Sequence, residues 1–414
     1  MHLLFVHRAF PAQFGHLALE LTRRYGWRCT FLVKDLTRCP LPSAEMLQRL
    51  DVQRITVPPD LQVQRVTPWS QSYGVYLQLA EAVYEAARAR PDLRPDLVVG
   101  HEGLGPTLFL PELLRCPVVQ YCEYYFAVRG RDLTYRLDLP PAEPAPFYPR
   151  CINAATLAGL LACAGGYAPT HWQRSTFPER YRHKIEVHFD GIDTQLYRPG
   201  RVPRSAAERL LGRSLPAGTR LVTFVARGLE SMRGFDRFMD VARRIAGERP
   251  DVLFAVVGQE ESYYGWDLLH TGVPSFKQWV LSRGDYDLTR FVFLPHLEPE
   301  RLADLLGLSD LHIYLTVPFV LSWSLFDALA CGCVVLASDV APVREVIRPG
   351  ENGLVGPLFD TDRLAETALR VLDDPVAYRP LGEAGRALTE AEYGIEACVP
   401  RLKGYFERMA SGPR

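Results

Sequence analysis

The stretch IYLTVPFVLSWSLFDALACGCVVLASDVAPVREVIRPGENGLV, at residues 313–355, decides the fold class. It holds most of one apolar run, at 311–315, and all of a second, at 334–337, and each is followed by a loop and an amphipathic segment. Short β-branched runs that alternate with helical patterns are typical of parallel strands joined by crossover helices. The stretch therefore predicts part of an α/β domain, with a helix that begins near Ser322 and Ser324.

The same alternation extends along most of the chain. Further predicted strands lie at residues 3–6, 29–33, 97–99, 118–120, 165–168, 185–188, 221–225, 252–257 and 291–294. Predicted helices lie at residues 15–25, 75–90, 154–163, 234–244, 299–306 and 324–330. A run rich in proline and glycine, 196–219, interrupts the pattern.

The interruption divides the chain into two α/β halves. We predict two facing Rossmann-like domains, at residues 1–198 and 199–389, and a final helical segment, 390–414, that packs back on the first domain. Ligands of doubly wound sheets bind outside the carboxyl ends of the strands. An active-site cleft between the two domains is therefore expected.

Composition restricts the class of partner. The 414 residues carry 47 basic and 48 acidic side chains, so the net charge of -1 lacks the basic excess that binds nucleic acid phosphates. The N-terminus runs directly into a strand-like segment rather than a signal peptide, and the apolar stretch 154–168 is too short to span a membrane. The nine scattered cysteines favour reduced thiols. We expect a cytoplasmic protein without a membrane anchor or a nucleic acid partner.

One arginine-rich loop could give a peripheral membrane contact. Residues 126–150 contain Arg129, Arg131 and Arg136 among apolar side chains. The loop could touch an acceptor or the inner face of a membrane, but a solvated loop is the favoured interpretation.

Two features in the second half favour an anionic ligand. The predicted helix at Ser322 would present free N–H groups and a positive dipole end, although a capped core helix would look the same. Arg227 follows the strand at 221–225, and Arg233 lies six residues later. Two guanidinium groups at a strand end suit a diphosphate, whereas solvated arginines are the alternative.

Polar residues also follow other predicted strands. His101 and Glu102 could bind hydroxyl groups or move a proton, or His101 could be structural. Gly258 permits close backbone approach, and Gly15 lies in FPAQFGH, which is not a dinucleotide-binding glycine motif. We discount the D-x-D pairs at 285/287 and 360/362 as metal sites and interpret them as a turn and a helix cap.

Several motifs, taken in order, resemble the retaining family 4 glycosyltransferases, which have the GT-B architecture of two facing Rossmann-like domains. The resemblance covers most of the chain: LLFVHRAFPAQFGHLA, PDLVVGHEG, VHFDGIDTQLYRP, FVARGLESMRGFDRFM, FAVVGQE, FVFLPHLEPERLADLL and DALACGCVVLASDVAPVREVIRPGENGLV. Their order and spacing carry the resemblance, rather than any single motif.

The resemblance assigns roles to residues of this chain. It implies that Arg227 and Arg233 hold a donor diphosphate, with Arg233 where a lysine is usual, and that His101 faces the donor sugar. The candidate catalytic residues are thus His101, Arg227 and Arg233. The candidate donor-binding residues are Gly15, Glu102, Gly258, His296, Phe319, Ser322, Trp323, Ser324 and Asp327.

The chain departs from the family at the paired glutamates, which fall on Phe319 and Asp327. Asp327 can still accept hydrogen bonds from ribose hydroxyls, but Phe319 cannot replace a carboxylate at the sugar. We hypothesise that Glu102 supplies the missing contact.

The resemblance implies transfer of a hexose, with retention, from a nucleotide-diphosphate sugar to a glycan, lipid-linked or small-molecule acceptor, as in polysaccharide biosynthesis. The nucleotide sugar is a co-substrate, and no cofactor or metal is required. The alternatives are a non-catalytic nucleotide-binding protein and a sugar-nucleotide epimerase or phosphorylase on the same fold.

Overall fold

The computed structural model describes residues 1–36, 42–57, 68–127, 129–139 and 147–412, with the side chains of 68–72 left out. The chain forms two compact units. The first contains Met1–Val128, Glu143–Gly191 and Glu396–Arg414, and the second contains Arg129–Ala142 and Ile192–Ile395. The change of unit at Gly191 lies a few residues before the predicted boundary at 198.

The first unit is built on a parallel sheet whose described strands have the order β3-β2-β1-β4-β5-β6-β7. The strands are β1 (His2–Ala9), β2 (Arg28–Asp35), β3 (Asp51–Arg54), β4 (Leu97–His101), β5 (Val118–Tyr121), β6 (Gly165–Ala168) and β7 (Ile185–Val187). The helices are α1 (Gly15–Tyr25), α2 (Ala44–Arg49), α3 (Pro68–Arg88), α4 (Phe147–Ala162), α5 (His171–Thr176) and α6 (Glu179–Arg182). The strand order reverses between β1 and β4.

The second unit repeats this plan with the order β10-β9-β8-β11-β12-β13. Its strands are β8 (Arg220–Gly228), β9 (Val252–Gln259), β10 (Phe291–Leu294), β11 (Leu311–Tyr314), β12 (Val335–Ser338) and β13 (Leu354–Gly356). Its helices are α7 (Ala207–Leu211), α8 (Phe235–Glu248), α9 (Asp267–Thr271), α10 (Phe276–Arg283), α11 (Pro299–Leu306), α12 (Trp323–Ala330), α13 (Ala341–Val346), α14 (Thr361–Asp373) and α15 (Pro375–Leu388). The order reverses between β8 and β11, and the predicted fold of two Rossmann-like domains is confirmed.

The last helix, α16 (Ile395–Ser411), packs against the first unit. The rings of Tyr405 and Phe406 lie 5.6 and 5.8 Å from that of Tyr167 on β6. Gly165 leaves room for Met409, whose Cε would lie 2.8 Å from an added Cβ. No helix within the described ranges is both long and apolar enough to cross a bilayer.

Residues 129–139, which we call the arm, follow β5 in sequence but belong to the second unit. Arg136 is 3% exposed and donates to Asp236 on α8 at 2.7 Å. The interpretation of Arg136 as part of a solvated, acceptor-binding or membrane-binding loop is therefore wrong, because an acidic partner distant in sequence neutralises it. Residues 128 and 140–146 of that loop lie outside the described residues.

Candidate functional site

Arg227 lies at the carboxyl end of β8, where the order of the second sheet reverses. Its side chain is exposed, and its guanidinium carbon lies 4.1 Å from the centre of the Tyr263 ring. No residue that the structure describes forms a hydrogen bond or ion pair with this side chain. The positive charge is thus available at the position where doubly wound sheets bind ligands.

Arg233 ends the short 3₁₀ turn Ser231–Arg233 that follows β8, and it is only 5% exposed. Its Nη1 donates to the Val320 carbonyl at 2.8 Å and to Thr316 Oγ1 at 3.2 Å. Among the described residues, no carboxylate comes within ion-pair distance of it. A buried cation without an acidic partner is costly, so the position favours an anionic ligand.

The N-terminus of α12 adjoins β8, because Ser324 Oγ donates to the carbonyl of Val225 at 3.2 Å. Ser322 caps the helix by accepting from Ser324 N, which confirms the predicted cap. The backbone N–H of Ser322 donates to the Tyr314 hydroxyl at 2.9 Å. The positive end of the helix dipole therefore lies beside the strand that carries Arg227.

Phe319 occupies an apolar position next to Arg233. It is 2% exposed, and its ring lies 5.0 Å from the Tyr264 ring. The Arg233 guanidinium carbon lies 5.4 Å from the Phe319 ring and 5.6 Å from the Tyr264 ring. Sequence reasoning missed Tyr263 and Tyr264, although two tyrosines in succession shortly after Gly258 were a visible signal.

Glu230 is a second residue that sequence reasoning missed. It is fully buried, its Oε2 accepts from the backbone N–H groups of Tyr263 and Tyr264, and its Oε1 has no hydrogen-bond partner. Burial raises its pKa to about 7, and nearby Arg233 opposes that rise. Glu230 thus fixes the segment that places one tyrosine against each arginine.

The remaining predicted site residues of the second unit differ in burial and in their neighbours. Asp327 on α12 is 7% exposed, and burial raises its pKa well above the usual range. It lies near Tyr197 and Cys331, and among the described residues it forms no ion pair with Arg227 or Arg233. Trp323 is half-buried at the start of α12, and His296 is exposed two residues after β10.

Two predicted ligand-approach glycines lie where other parts of the chain pack closely against the backbone. A Cβ on Gly258 would lie 2.7 Å from Leu229 Cδ2, and a Cβ on Gly15 would lie 2.2 Å from Pro11 Cβ. In both places the chain itself fills the space that the missing side chain leaves. At both glycines the atoms that approach the backbone closely belong to the protein itself.

In the first unit His101 ends β4 and is 1% exposed. Its Nδ1 donates to the Glu102 carbonyl at 2.6 Å, and its Nε2 lies 3.4 Å from the Gln13 amide nitrogen and 3.6 Å from Glu123 Oε2. Burial lowers its pKa to about 4. His101 is therefore neutral near pH 7, and its Nε2 is an acceptor rather than an acid.

Glu102 is used within the first unit. Its Oε1 accepts from the Tyr124 N–H at 2.9 Å, and its Oε2 accepts from Thr156 Oγ1 at 2.6 Å. Both oxygens are thus engaged inside the unit, which contradicts the hypothesis that Glu102 replaces the missing sugar contact. Burial raises its pKa to about 8, although the Thr156 hydrogen bond opposes the rise.

This pKa predicts a pH-dependent stability. The folded pKa of about 8 lies above the ordinary value of 4.5, so the stabilisation from this group is present below about pH 4.5 and is lost as the pH rises through about 8. Glu102→Gln keeps a neutral side chain, so we expect it to be more stable than the natural protein at pH 8.5 by at least about 1 kcal/mol, and not at pH 5. Urea unfolding at both pH values measures this difference. The exposed Glu81→Gln is the control, and equal pH dependence of the two variants would contradict the assignment.

The D-x-D pairs are capping residues. Asp360 Oδ1 accepts from Arg363 N at the start of α14, and Asp287 Oδ1 accepts from Thr289 N at the turn Leu288–Arg290. The interpretation of Asp360 as a cap is confirmed.

A doubly wound sheet with unpaired arginines and a helix N-terminus at its reversal point is typical of α/β proteins that bind phosphorylated ligands. A family model described as "glycosyl transferase family 4 group" matches residues 26–197, and one described as "glycosyl transferases group 1" matches residues 212–388. The chain belongs to glycosyltransferase family 4 and has the GT-B architecture, which confirms the resemblance.

Individual relatives agree with this family. The D-inositol 3-phosphate glycosyltransferase of Rhodococcus erythropolis is 31% identical over 175 residues, which are 42% of this chain and 37% of that protein. The matched segments span less than half the length of the first curated relatives.

Solved structures share the fold over the whole chain. Anabaena HepE in complex with UDP-glucose has a TM-score of 0.71 at 14% identity, with 98% of this chain and 99% of that chain covered. Sucrose-phosphate synthase from Thermosynechococcus elongatus has a TM-score of 0.71 at 18% identity, with 99% and 98% covered.

Proposed function

We propose that this protein transfers a sugar from a nucleotide-diphosphate donor to an acceptor hydroxyl, with retention of the anomeric configuration. The observation that carries the proposal is the pair formed by Arg227, near the end of β8, and Arg233, after it; neither has an acidic ion-pair partner among the described residues. The name of the Rhodococcus relative supports sugar transfer as the reaction.

In this proposal the diphosphate lies against the two guanidinium groups and the first turn of α12. The bond from the anomeric carbon to the phosphate oxygen loosens into an oxocarbenium-like state, and the acceptor oxygen bonds to the same face of the sugar. The leaving phosphate takes the acceptor's proton, and a nucleoside diphosphate is released. The arginines and the helix N–H groups act because they stabilise charge that grows on the leaving group.

No metal takes part in this scheme, since protein cations neutralise the leaving group. His101 acts as a neutral side chain at the sugar, because its burial opposes protonation. The acceptor class is a glycan, a lipid-linked sugar or a small molecule.

Phe319 favours a second candidate function. An aromatic ring packed on Tyr264 stands where the family's carboxylate would face the sugar, and a nucleotide-binding protein without turnover would tolerate that change. Such a protein would bind the diphosphate through the same arginines and form no product.

A thermal-shift screen tests both candidates. The melting temperature is measured with uridine, guanosine and adenosine diphosphates and their glucose conjugates, beginning with UDP-glucose because HepE was crystallised with it. A ligand at 100 times its Kd stabilises the folded state by about 2.7 kcal/mol, which raises Tm by several degrees. If no nucleotide shifts Tm, the proposal fails. Product analysis with the donor that binds then separates transfer from binding alone, and from epimerisation, which needs no acceptor.

A further inference from the structure

Arg136 of the arm is a buried cation with a complete set of partners. Its Nη2 donates to Asp236 Oδ2 and Asp138 Oδ2, each at 2.7 Å, and its Nη1 donates to Asp236 Oδ1 at 3.0 Å. The same Nη1 lies 3.2 Å from the backbone carbonyl of Ser231. Charged hydrogen bonds in a buried setting are strong and geometrically specific, so the arm is firmly held at this point.

Ser231 begins the 3₁₀ turn that carries Arg233. On the side opposite to Arg136, the backbone N–H of Ser231 donates to Asp267 Oδ2 at 2.9 Å. The backbone of this residue is therefore fixed through both of its polar groups. Arg233 lies two positions further along the same tight turn, so the fixed backbone of Ser231 also restricts the position of Arg233.

The arm also reaches the segment on the other side of Arg233. The backbone N–H of Asp132 donates to the Pro318 carbonyl at 3.2 Å. Pro318 lies between Thr316 and Val320, and both of those residues accept hydrogen bonds from Arg233 Nη1. The arm thus holds the turn from which Arg233 extends and the segment on which its guanidinium rests.

We propose that Arg136 is a positioning residue for the donor diphosphate, which it serves by fixing the turn and the segment that place Arg233. This inference rests on the proposed function, because it concerns the same diphosphate. Arg136 itself does not touch the donor. The alternative is that the arm only stabilises the second unit.

Arg237 supplies a matched control. It pairs with Asp138, as Arg136 does, and the two guanidinium carbons lie 5.7 and 5.9 Å from the same Phe359 ring. Arg237 makes no hydrogen bond to Ser231 or Pro318 among the described residues. The two arginines therefore share an ion-pair network but differ in their contact with the turn.

The experiment compares Arg136→Met with Arg237→Met in the full chain. We measure Tm and the Kd of the nucleoside diphosphate that stabilises the natural protein most. Arg136→Met should weaken binding about tenfold or more, because small displacements of a binding group are costly, whereas Arg237→Met should change Kd less than about twofold. Equal Kd values for the two variants would overturn the proposal.

A double variant distinguishes a loss of positioning from a loss of stability. Arg136→Met with Asp236→Leu removes both charges, so no half-buried carboxylate at 236 loses its closest cation, and Tm should recover. Its affinity for the diphosphate should stay weak, since the Ser231 carbonyl still lacks the Arg136 guanidinium, although it keeps the Gly234 N–H at 3.0 Å. Recovery of natural affinity in the double variant would also overturn the proposal.

Hydrogen exchange separates this inference from the proposed function. If the natural protein binds no nucleotide, the proposed function fails, but exchange at the amides of 231–234 still reports the turn. Arg136→Met should speed this exchange at least about tenfold relative to Arg237→Met. Unchanged exchange would refute the positioning role on its own.

Discussion

Replacing Arg227 by alanine is expected to lower kcat by about 10²-fold or more, because it removes a charge that stabilises the leaving diphosphate in the transition state. The side chain is exposed and its one described contact is with the Tyr263 ring. The ligand-free protein should therefore lose less than about 0.5 kcal/mol of stability. Initial rates with the donor found by the thermal screen, together with Tm, measure both effects.

Arg379→Ala is the control for this experiment, because Arg379 is an exposed arginine on α15 without an ion pair among the residues described. Its turnover should match that of the natural protein. If Arg227→Ala also turned over at a near-natural rate, Arg227 would not face the diphosphate.

Arg233→Met should weaken nucleoside diphosphate binding by about 10²-fold, which is about 3 kcal/mol, because charged hydrogen bonds to the phosphate are lost. The effect on the ligand-free protein is expected to be small. Methionine removes hydrogen bonds to Thr316 and Val320, but it also removes a buried charge without an acidic partner. Calorimetric titration and Tm without ligand give the two values.

Arg233→Lys separates charge from shape. A lysine is usual at this position in the family, so this variant should retain most of the affinity that Arg233→Met loses. A methionine variant that bound as tightly as the lysine variant would mean that the charge does not contact the ligand.

The fold could be predicted almost entirely from local patterns. Predicted strands such as 252–257 and 291–294 lie within or match β9 and β10. The missed strands β3 and β13 are short, at Asp51–Arg54 and Leu354–Gly356, and they lie at sheet edges. β3 carries a single apolar residue and β13 is three residues long, so neither has the longer apolar run of a buried parallel strand.

Those features of the site that a single short segment forms were predictable from the sequence. Ser322 caps a helix that the local sequence predicts, and Arg227 lies near the end of a strand that the local sequence predicts. Contacts across the fold were not predictable. Glu230 holds a tyrosine pair more than thirty positions away, and Arg136 finds Asp236 a hundred positions away.

Arg136 shows why the sequence pattern gave the wrong prediction for the burial of this loop. An arginine in a loop usually remains solvated, and only tertiary structure brings the carboxylates that make burial tolerable. The same holds for Glu102, whose polar context predicted a ligand contact, whereas Thr156 and the Tyr124 amide already engage it.

Because α16 supplies rings that cover Tyr167, the core of the first unit includes a segment that follows the second unit in the chain. The segments of the second unit, Arg129–Ala142 and Ile192–Ile395, all precede α16 in the chain. We therefore expect the second unit to fold first during translation, and we expect a nascent chain stalled before α16 to leave the Tyr167 side of β6 uncovered for chaperones to recognise.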